Sequence, residues 1–327
     1  MRGYLLGKVA QAFLTLLFVL TFNFILFRVM PGDPAALLLR GTAAYNPQNV
    51  AAEKARLGLD KPLPVQFATY MRDTFRLEFG DSFVYQGRSV SEVIGAKMWP
   101  TVLLVGTSTI ASILLGLLIG IWSGWRRGTW FDYGSLGFTL FAYAMPEFWF
   151  GMLVLMAFAG GVGPFPAIFP TGGYETVGAG FTGFRHAIDV LNHMVLPFTV
   201  LTVAYLGEYA LIMRNSLIDV MADDFVMTAR AKGVREEQVL WRHVVPNALL
   251  PTWTLTMLSL GFVFGGAITI EYVFSWPGLG WLTVQAIEAK DYAVLQALFL
   301  IFSAAVIIAN LIADITYMYL DPRVRAA

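Results

Sequence analysis

Cysteine is absent from the 327 residues, and with it go disulfide frameworks, thiolate metal sites and cysteine nucleophiles. Charge is scarce: only 13% of residues are Asp, Glu, Lys or Arg, about half the share in an ordinary soluble domain. The 22 basic and 22 acidic residues balance, so the chain carries no electrostatic footprint for nucleic acid. Histidine occurs three times, at His186, His193 and His243, too few for a multi-histidine metal or haem site, and no metal site is expected. No lysine is followed by Ser or Thr. The chain therefore lacks a Walker A loop, and any nucleotide chemistry belongs to another polypeptide.

What is present is apolar length. Of all residues 57% are hydrophobic, and a hydrocarbon core of about 30 Å needs about 20 apolar residues per helical span. Six stretches meet that need: 9–27, 98–125, 133–159 (interrupted by Pro146-Glu147), 190–213, 248–270 and 293–319. The first follows Arg2 and Lys8, as a signal peptide would. No small-residue cleavage site comes after it, so it is read as a retained span. The expected fold is an all-α membrane protein with about six transmembrane helices. It divides into 1–30, a small extracytoplasmic domain at 31–97, and a five-helix core at 98–327. The segment 160–189 and the stretch from Glu271 to Tyr292 read as outer loops.

Lysine and arginine fix the orientation, because they are retained on the cytoplasmic side of short loops. Arg2, Lys8, Arg126, Arg127, Arg214, Arg230, Lys232, Arg235, Arg242, Arg323 and Arg325 collect on one side; the short loops opposite hold Arg185 and Lys290. Both termini are expected inside. Trp122, Trp125 and Trp130 on one side, and Trp276 and Trp281 on the other, are placed as interfacial belts. Gly116, Gly120 and Gly124, and again Gly261 and Gly265, sit four apart, a spacing that lets helix backbones approach within the subunit or across a dimer.

Three acids fall inside spans: Glu147, Glu208 and Asp314. Intramembrane acids face a cavity or a partner. Glu147 lies between Pro146 and Phe148-Trp149, where proline frees backbone carbonyls and bends the axis. It either meets a substrate amine or hydroxyl on the pathway wall, with Trp149 beside it, or pairs structurally. Glu208 is assigned to the pathway and to a network near Arg214. Asp314 is assigned to a helix–helix hydrogen bond. His186 and His193, seven apart, are read as interface hydrogen-bonding residues.

Between the fourth and fifth spans, at about 214–251, lies the segment that carries most information. Asp223 to Gly233 reads as a short helix with acids in its first turn and bases in its last, complementing the helix dipole, with Gly233 as its stop. Arg235 to Val245 is a second short helix that ends before Pro246. Two amphipathic helices hinged at a glycine suit either a protein partner or the lipid surface.

The run Thr228-Ala229-Arg230-Ala231-Lys232-Gly233, followed by His243 through Pro251, resembles the EAA loop of permease subunits of ATP-binding-cassette (ABC) importers, in the dipeptide/oligopeptide branch. Met227 stands where the founding motif has glutamate. Four further stretches share the resemblance: Pro31-Gly32-Asp33-Pro34, Leu57 to Gln66, Glu271 to Gly280, and Leu320 to Arg325. The resemblance implies the type I permease fold in a bacterial inner membrane. It also implies a second homologous permease, two cytoplasmic ATPase subunits that hold ATP and Mg, and an extracytoplasmic substrate-binding protein. The loop becomes a coupling helix in an ATPase cleft: Ala229 and Gly233 allow close approach, Thr228, Ala231, Arg230, Lys232, Arg235 and Glu236 line the contact, and Trp241 anchors it. The expected substrate is a peptide, with an oligosaccharide or nickel as alternatives within the branch. An ion-coupled secondary transporter is the rival from another class, and it would require an inverted repeat that the sequence lacks.

Overall fold

The structure is a computed structural model that describes residues 2–29, 36, 46–56, 58–85, 87–161 and 166–320. The motif at Pro31 to Pro34, Leu57, and the terminal Asp321 to Arg325 lie outside the described residues. Every regular element among those described is helical. Helix α1 (Arg2–Val29) is followed by the short α2 (Pro47–Arg56) and α3 (Leu63–Phe75) of the outer segment. Then come α4 (Val90–Thr101), α5 (Thr107–Trp125), α6 (Trp130–Ala144), α7 (Glu147–Phe158) and α8 (Gly183–Met221). The chain closes with α9 (Asp224–Ala231), α10 (Glu236–Val239), α11 (Val245–Phe262), α12 (Ile268–Val273), α13 (Leu279–Glu288) and α14 (Tyr292–Leu320). Five helical stretches are long and apolar enough to cross a membrane, and α6 with α7, bent by 100°, makes a sixth.

Each boundary has a local cause. Ser89 caps α4, accepting from the Glu92 amide at 3.2 Å, so the second span starts at Val90 and not at Met98. Its first turns carry Ser91, Glu92 and Lys97, polar enough to hide the helix from a hydropathy count. The α4–α5 rod has 36 residues and is about 54 Å long at 1.5 Å per residue. Pro100 interrupts it, and the next turn, Val102–Gly106, widens to a π-helix. A second π turn, Leu240–Val244, lies on the other side of its proline, just before Pro246. Proline lacks the amide and crowds the preceding turn, and there the wider turn relieves both. At Met145 the clash with Pro146 forces an extended backbone (φ −80°, ψ 126°), which ends α6 and produces the bend.

The bundle is organised on α5 and α8. An added Cβ at Gly116 would lie 2.7 Å from the Leu206 carbonyl, and one at Gly120 would lie 2.6 Å from the Ala210 carbonyl. At Gly124 it would meet Leu217 Cδ2 at 2.9 Å. The stripe therefore packs within this chain. Gly207 does the same for α6, beside the Thr139 carbonyl at 2.6 Å, and Gly261 meets Ala309 of α14. Gly265 faces nothing within 4 Å, so the second glycine pair does not act as a pair.

A buried carboxylate ties the segment between α1 and α4 to the start of α14. Asp291 is 1% exposed; it accepts from Ser82 Oγ at 2.6 Å, from the Phe83 and Val84 amides at 2.9 and 3.1 Å, and caps α14 through the Val294 amide at 3.2 Å. Gly120→Leu is expected to lower the melting temperature of the purified protein, at an overpacking cost of about 1–3 kcal/mol, whereas Gly265→Ala leaves it unchanged. Thermal scanning of both variants in one detergent checks the pair.

Candidate functional site

The segment from Asp223 to Val245 folds as a hairpin of α9 and α10. Gly233 adopts φ +75°, the left-handed conformation that stops a helix at low cost for glycine alone. Its amide donates to the Arg230 carbonyl at 2.9 Å, and the Val234 amide returns to the Ala229 carbonyl at 3.3 Å. Val226, Val239, Leu240, Val244 and Ala248 are buried against Ile121, Met213 and Leu217 at the ends of α5 and α8. The apolar face of the hairpin is thus consumed by the chain's own core. A helix lying on lipid would instead present that face to the bilayer.

What remains outward is mainly polar, with Met227, Phe225 and Trp241 as its exposed apolar side chains. Thr228, Arg230, Ala231, Lys232, Gly233, Arg235 and Glu236 are exposed, and Trp241 is 41% exposed. Ala229 is the correction: at 6% exposure it belongs to the buried cluster and cannot supply close approach to a partner. Arg230 is committed as well. Its guanidinium makes a two-point bond to Glu236 at 3.0 and 3.1 Å and lies over the Trp125 ring, 5.8 Å from its centroid. This pair staples α9 to α10. It leaves Lys232, Arg235 and Trp241 as the side chains free to face outward.

The hairpin continues α8, whose adjoining end is fixed by a pair missed in the sequence. Arg214 donates to both Asp132 oxygens at 2.6 and 3.0 Å. Ser123 Oγ and the Gly128 amide complete the Asp132 shell at 2.7 and 2.9 Å. Asp132, not Glu208, is the partner of Arg214. Asp132 was legible as the third residue of a Thr129-initiated helix, but read as a cap it gave no sign of the long-range bond. Asp314 forms an ion pair with Lys8 at 3.0 Å, joining α14 to α1.

The other two intramembrane acids lie near Tyr205, Glu147 by direct contact and Glu208 by its place on α8. Glu147 opens α7 directly after Pro146 and accepts from Thr269 Oγ1 at 2.5 Å, with Tyr205 beside it. One helical turn beyond Tyr205 on α8 stands Glu208. Tyr205, Glu208 and Tyr209 line a cavity of about 780 Å³ together with Ser259, Phe262 and Val19. Glu208 has no hydrogen bond among the described residues. Trp149 is 46% exposed on α7 and does not line this cavity.

The stretch after α11 is not an open loop. Gly266 turns the chain at φ +69°, and α12 and α13 fold back onto the π turn of the second span. Glu271 is fully buried; it accepts from Thr101 Oγ1 at 2.9 Å and from the Trp281 amide at 3.0 Å. Thr101 Oγ1 in turn accepts from the Leu279 amide at 2.6 Å. A side chain at Gly278 would strike both Thr101 and Glu271. Trp276 is also fully buried, donating to the Pro100 carbonyl at 2.9 Å, so it is no interfacial anchor. His186 meets Glu175 at 2.6 Å, and His193 meets the Asp189 carbonyl at 2.9 Å.

Residues 116–326 match the family described as the binding-protein-dependent transport system inner membrane component, and residues 1–101 match its N-terminal companion. The chain belongs to this family. It is a multi-span ABC importer permease with the type I fold. It is 34% identical over 324 residues to the oligopeptide transport system permease protein AppB of Bacillus subtilis, covering 99% of both chains. It is 37% identical over 325 residues to the glutathione transport system permease protein GsiC of Salmonella choleraesuis, again covering 99% of both. In this permease, Asp132→Ala leaves the Arg214 guanidinium partly buried without its carboxylate, at an expected cost of about 3–5 kcal/mol. A large drop in melting temperature, with Asp314→Asn falling far less, is the result expected from thermal scanning.

Proposed function

We propose that this permease imports peptides, forming half of a translocation pathway with a second homologous permease. ATP and Mg are held by two cytoplasmic ATPase subunits, and an extracytoplasmic binding protein delivers the substrate. No cofactor is assigned to this chain. The α9–α10 hairpin is the coupling element and defines the cytoplasmic side, so both termini lie in the cytoplasm. The observation that carries the reading is the division of the hairpin: an apolar face consumed by α5 and α8, and an outward face of Lys232, Arg235, Glu236 and Trp241. Such a surface fits a cleft in a soluble protein. Because α8 continues into the hairpin, a displacement there is transmitted along the rod to Glu208 and Tyr205. Nucleotide drives that displacement only if the ATPase binds the two permease states with different affinity.

Peptide is preferred to oligosaccharide or nickel because the relatives are named for oligopeptide and glutathione. Within the membrane, Glu147 and Glu208, both near Tyr205, offer acceptors for a peptide ammonium. The assignment of Trp149 to the pathway is replaced by Tyr205.

Two outcomes are expected from transport assays on the assembled complex. Arg235→Glu, and separately Gly233→Val at its positive φ, lower substrate-stimulated ATPase activity and uptake together by about tenfold or more. Normal coupling in both variants would remove the hairpin from the mechanism. Glu147→Gln lowers uptake about tenfold or more, roughly the worth of one charge-assisted hydrogen bond, with assembly intact. Uptake unchanged in that variant would take Glu147 off the pathway.

A further inference from the structure

At the end of the bundle opposite the hairpin, a half-open cavity of about 260 Å³ lies where α1, α3, the turn around Gly80 and the start of α14 meet. Its wall carries charges of both signs. Arg28 and Lys61 are the cations; Asp73, Glu78 and Asp81 are the carboxylates. Asp73 is held by Arg72 at 2.9 Å, which leaves two cations facing two carboxylates. Arg28 lies over the Phe24 ring, 5.4 Å from its centroid, and makes no ion pair among the described residues. It also terminates the apolar stretch Leu5–Arg28, the level at which a spanning helix meets headgroups.

A second, independent feature points to an occupant. Gln66 lines the cavity and is 9% exposed. Its amide nitrogen is fixed by the Leu59 and Lys61 carbonyls at 3.2 and 2.7 Å, and its Oε1 has no partner. One layer below, Asn23 Nδ2 donates to Tyr70 Oη and the Gln296 carbonyl, both at 3.1 Å, and its Oδ1 is also unpartnered. A buried acceptor left unpaired is costly, so a donor in this cavity is favoured.

We infer that this pocket binds a phosphoethanolamine headgroup, from a lipid of the leaflet that meets the outer end of α1. The phosphodiester is met by Arg28 and Lys61; the primary ammonium is met by Gln66 Oε1 and the carboxylates of Glu78 and Asp81. A choline headgroup has no N–H to give the orphaned acceptor. An anionic glycerol headgroup brings no cation to the carboxylates. The lipid adds to the Asp291 contacts that fasten this segment to α14, and joins both to α1.

Native mass spectrometry of the full-length protein, purified with its co-expressed partner subunits, tests this. After exchange into equal mixtures of phosphatidylethanolamine, phosphatidylcholine and phosphatidylglycerol, the wild type is expected to retain phosphatidylethanolamine about tenfold over either other lipid. Arg28→Gln and Glu78→Gln are each expected to erase most of that preference. Glu78 is exposed on the rim, so its variant keeps the fold even if the Arg28 variant does not. Equal retention of the three lipids, or a preference unchanged in Glu78→Gln, overturns the inference. Displacement of the lipid by a millimolar free dipeptide, which carries the same paired charges, would show a soluble zwitterion as the occupant and would also overturn it. The measurement reads no transport, so its failure leaves the coupling proposal standing.

Discussion

The backbones of α5 and α8 touch because Gly116, Gly120 and Gly124 place no side chain between them. At each position an added Cβ would lie within 2.9 Å of an atom of α8. In a membrane there is no hydrophobic drive to bring helices together, so close backbone packing of this kind does much of the joining. The rest of the bundle is referred to that contact. Gly207 brings α6 onto the same rod, the Asp132–Arg214 pair locks the lower end, and the hairpin is the direct continuation of α8. A loop attached to a rigid rod moves with it. Close packing of α5 on α8 is therefore what makes a push on the hairpin felt at Tyr205 and Glu208, far along the same helix.

The polar groups sort into two kinds once their partners are counted. Asp132, Asp291, Glu271 and Asp314 each hold elements together, and each has its donors supplied by the chain: a guanidinium, a shell of amides, a hydroxyl and an ammonium. Glu147 has only neutral hydroxyl donors, Thr269 and Tyr205, and Glu208 has no donor among the described residues. Both are near Tyr205, and Glu208 opens onto the large cavity. A charge without a built-in donor is expensive inside a membrane and is retained where water or a ligand reaches it. The same reasoning, applied to Gln66 and Asn23, singles out the cavity at the other end of α1.

Much of this was readable in the chain. The apolar runs gave the spans, the proline at 146 gave the bend, and Gly233 gave the hinge, because each rests on a local rule of helix geometry. The residues that were misplaced depend on distant neighbours. Trp276 was expected at an interface and is buried, with its indole donating to the Pro100 carbonyl, 176 positions earlier in the chain. Glu271 sits in a stretch too polar for a span, and only the return of α12 and α13 onto Thr101 brings it inside. Ala229 was placed outward from a motif, but the phase of a two-turn helix against α5 and α8 turns it inward. Arg214 and Asp132 are 82 positions apart, and no periodicity links them.

The central claim is that the outward face of the hairpin is seated in an ATPase subunit and that its seating changes with nucleotide. The absence of native cysteine makes a clean test available. Single cysteines are placed at Thr228 and Arg235, both exposed, and each is paired with a cysteine scanned along the cleft of the co-purified ATPase. Disulfide cross-linking is then followed with and without ATP. The account predicts cross-links from both positions whose yields change on adding nucleotide, while a cysteine at Val177, exposed on the opposite end, gives none. Absence of cross-linking from both hairpin positions, or equal yields from Val177, would contradict it.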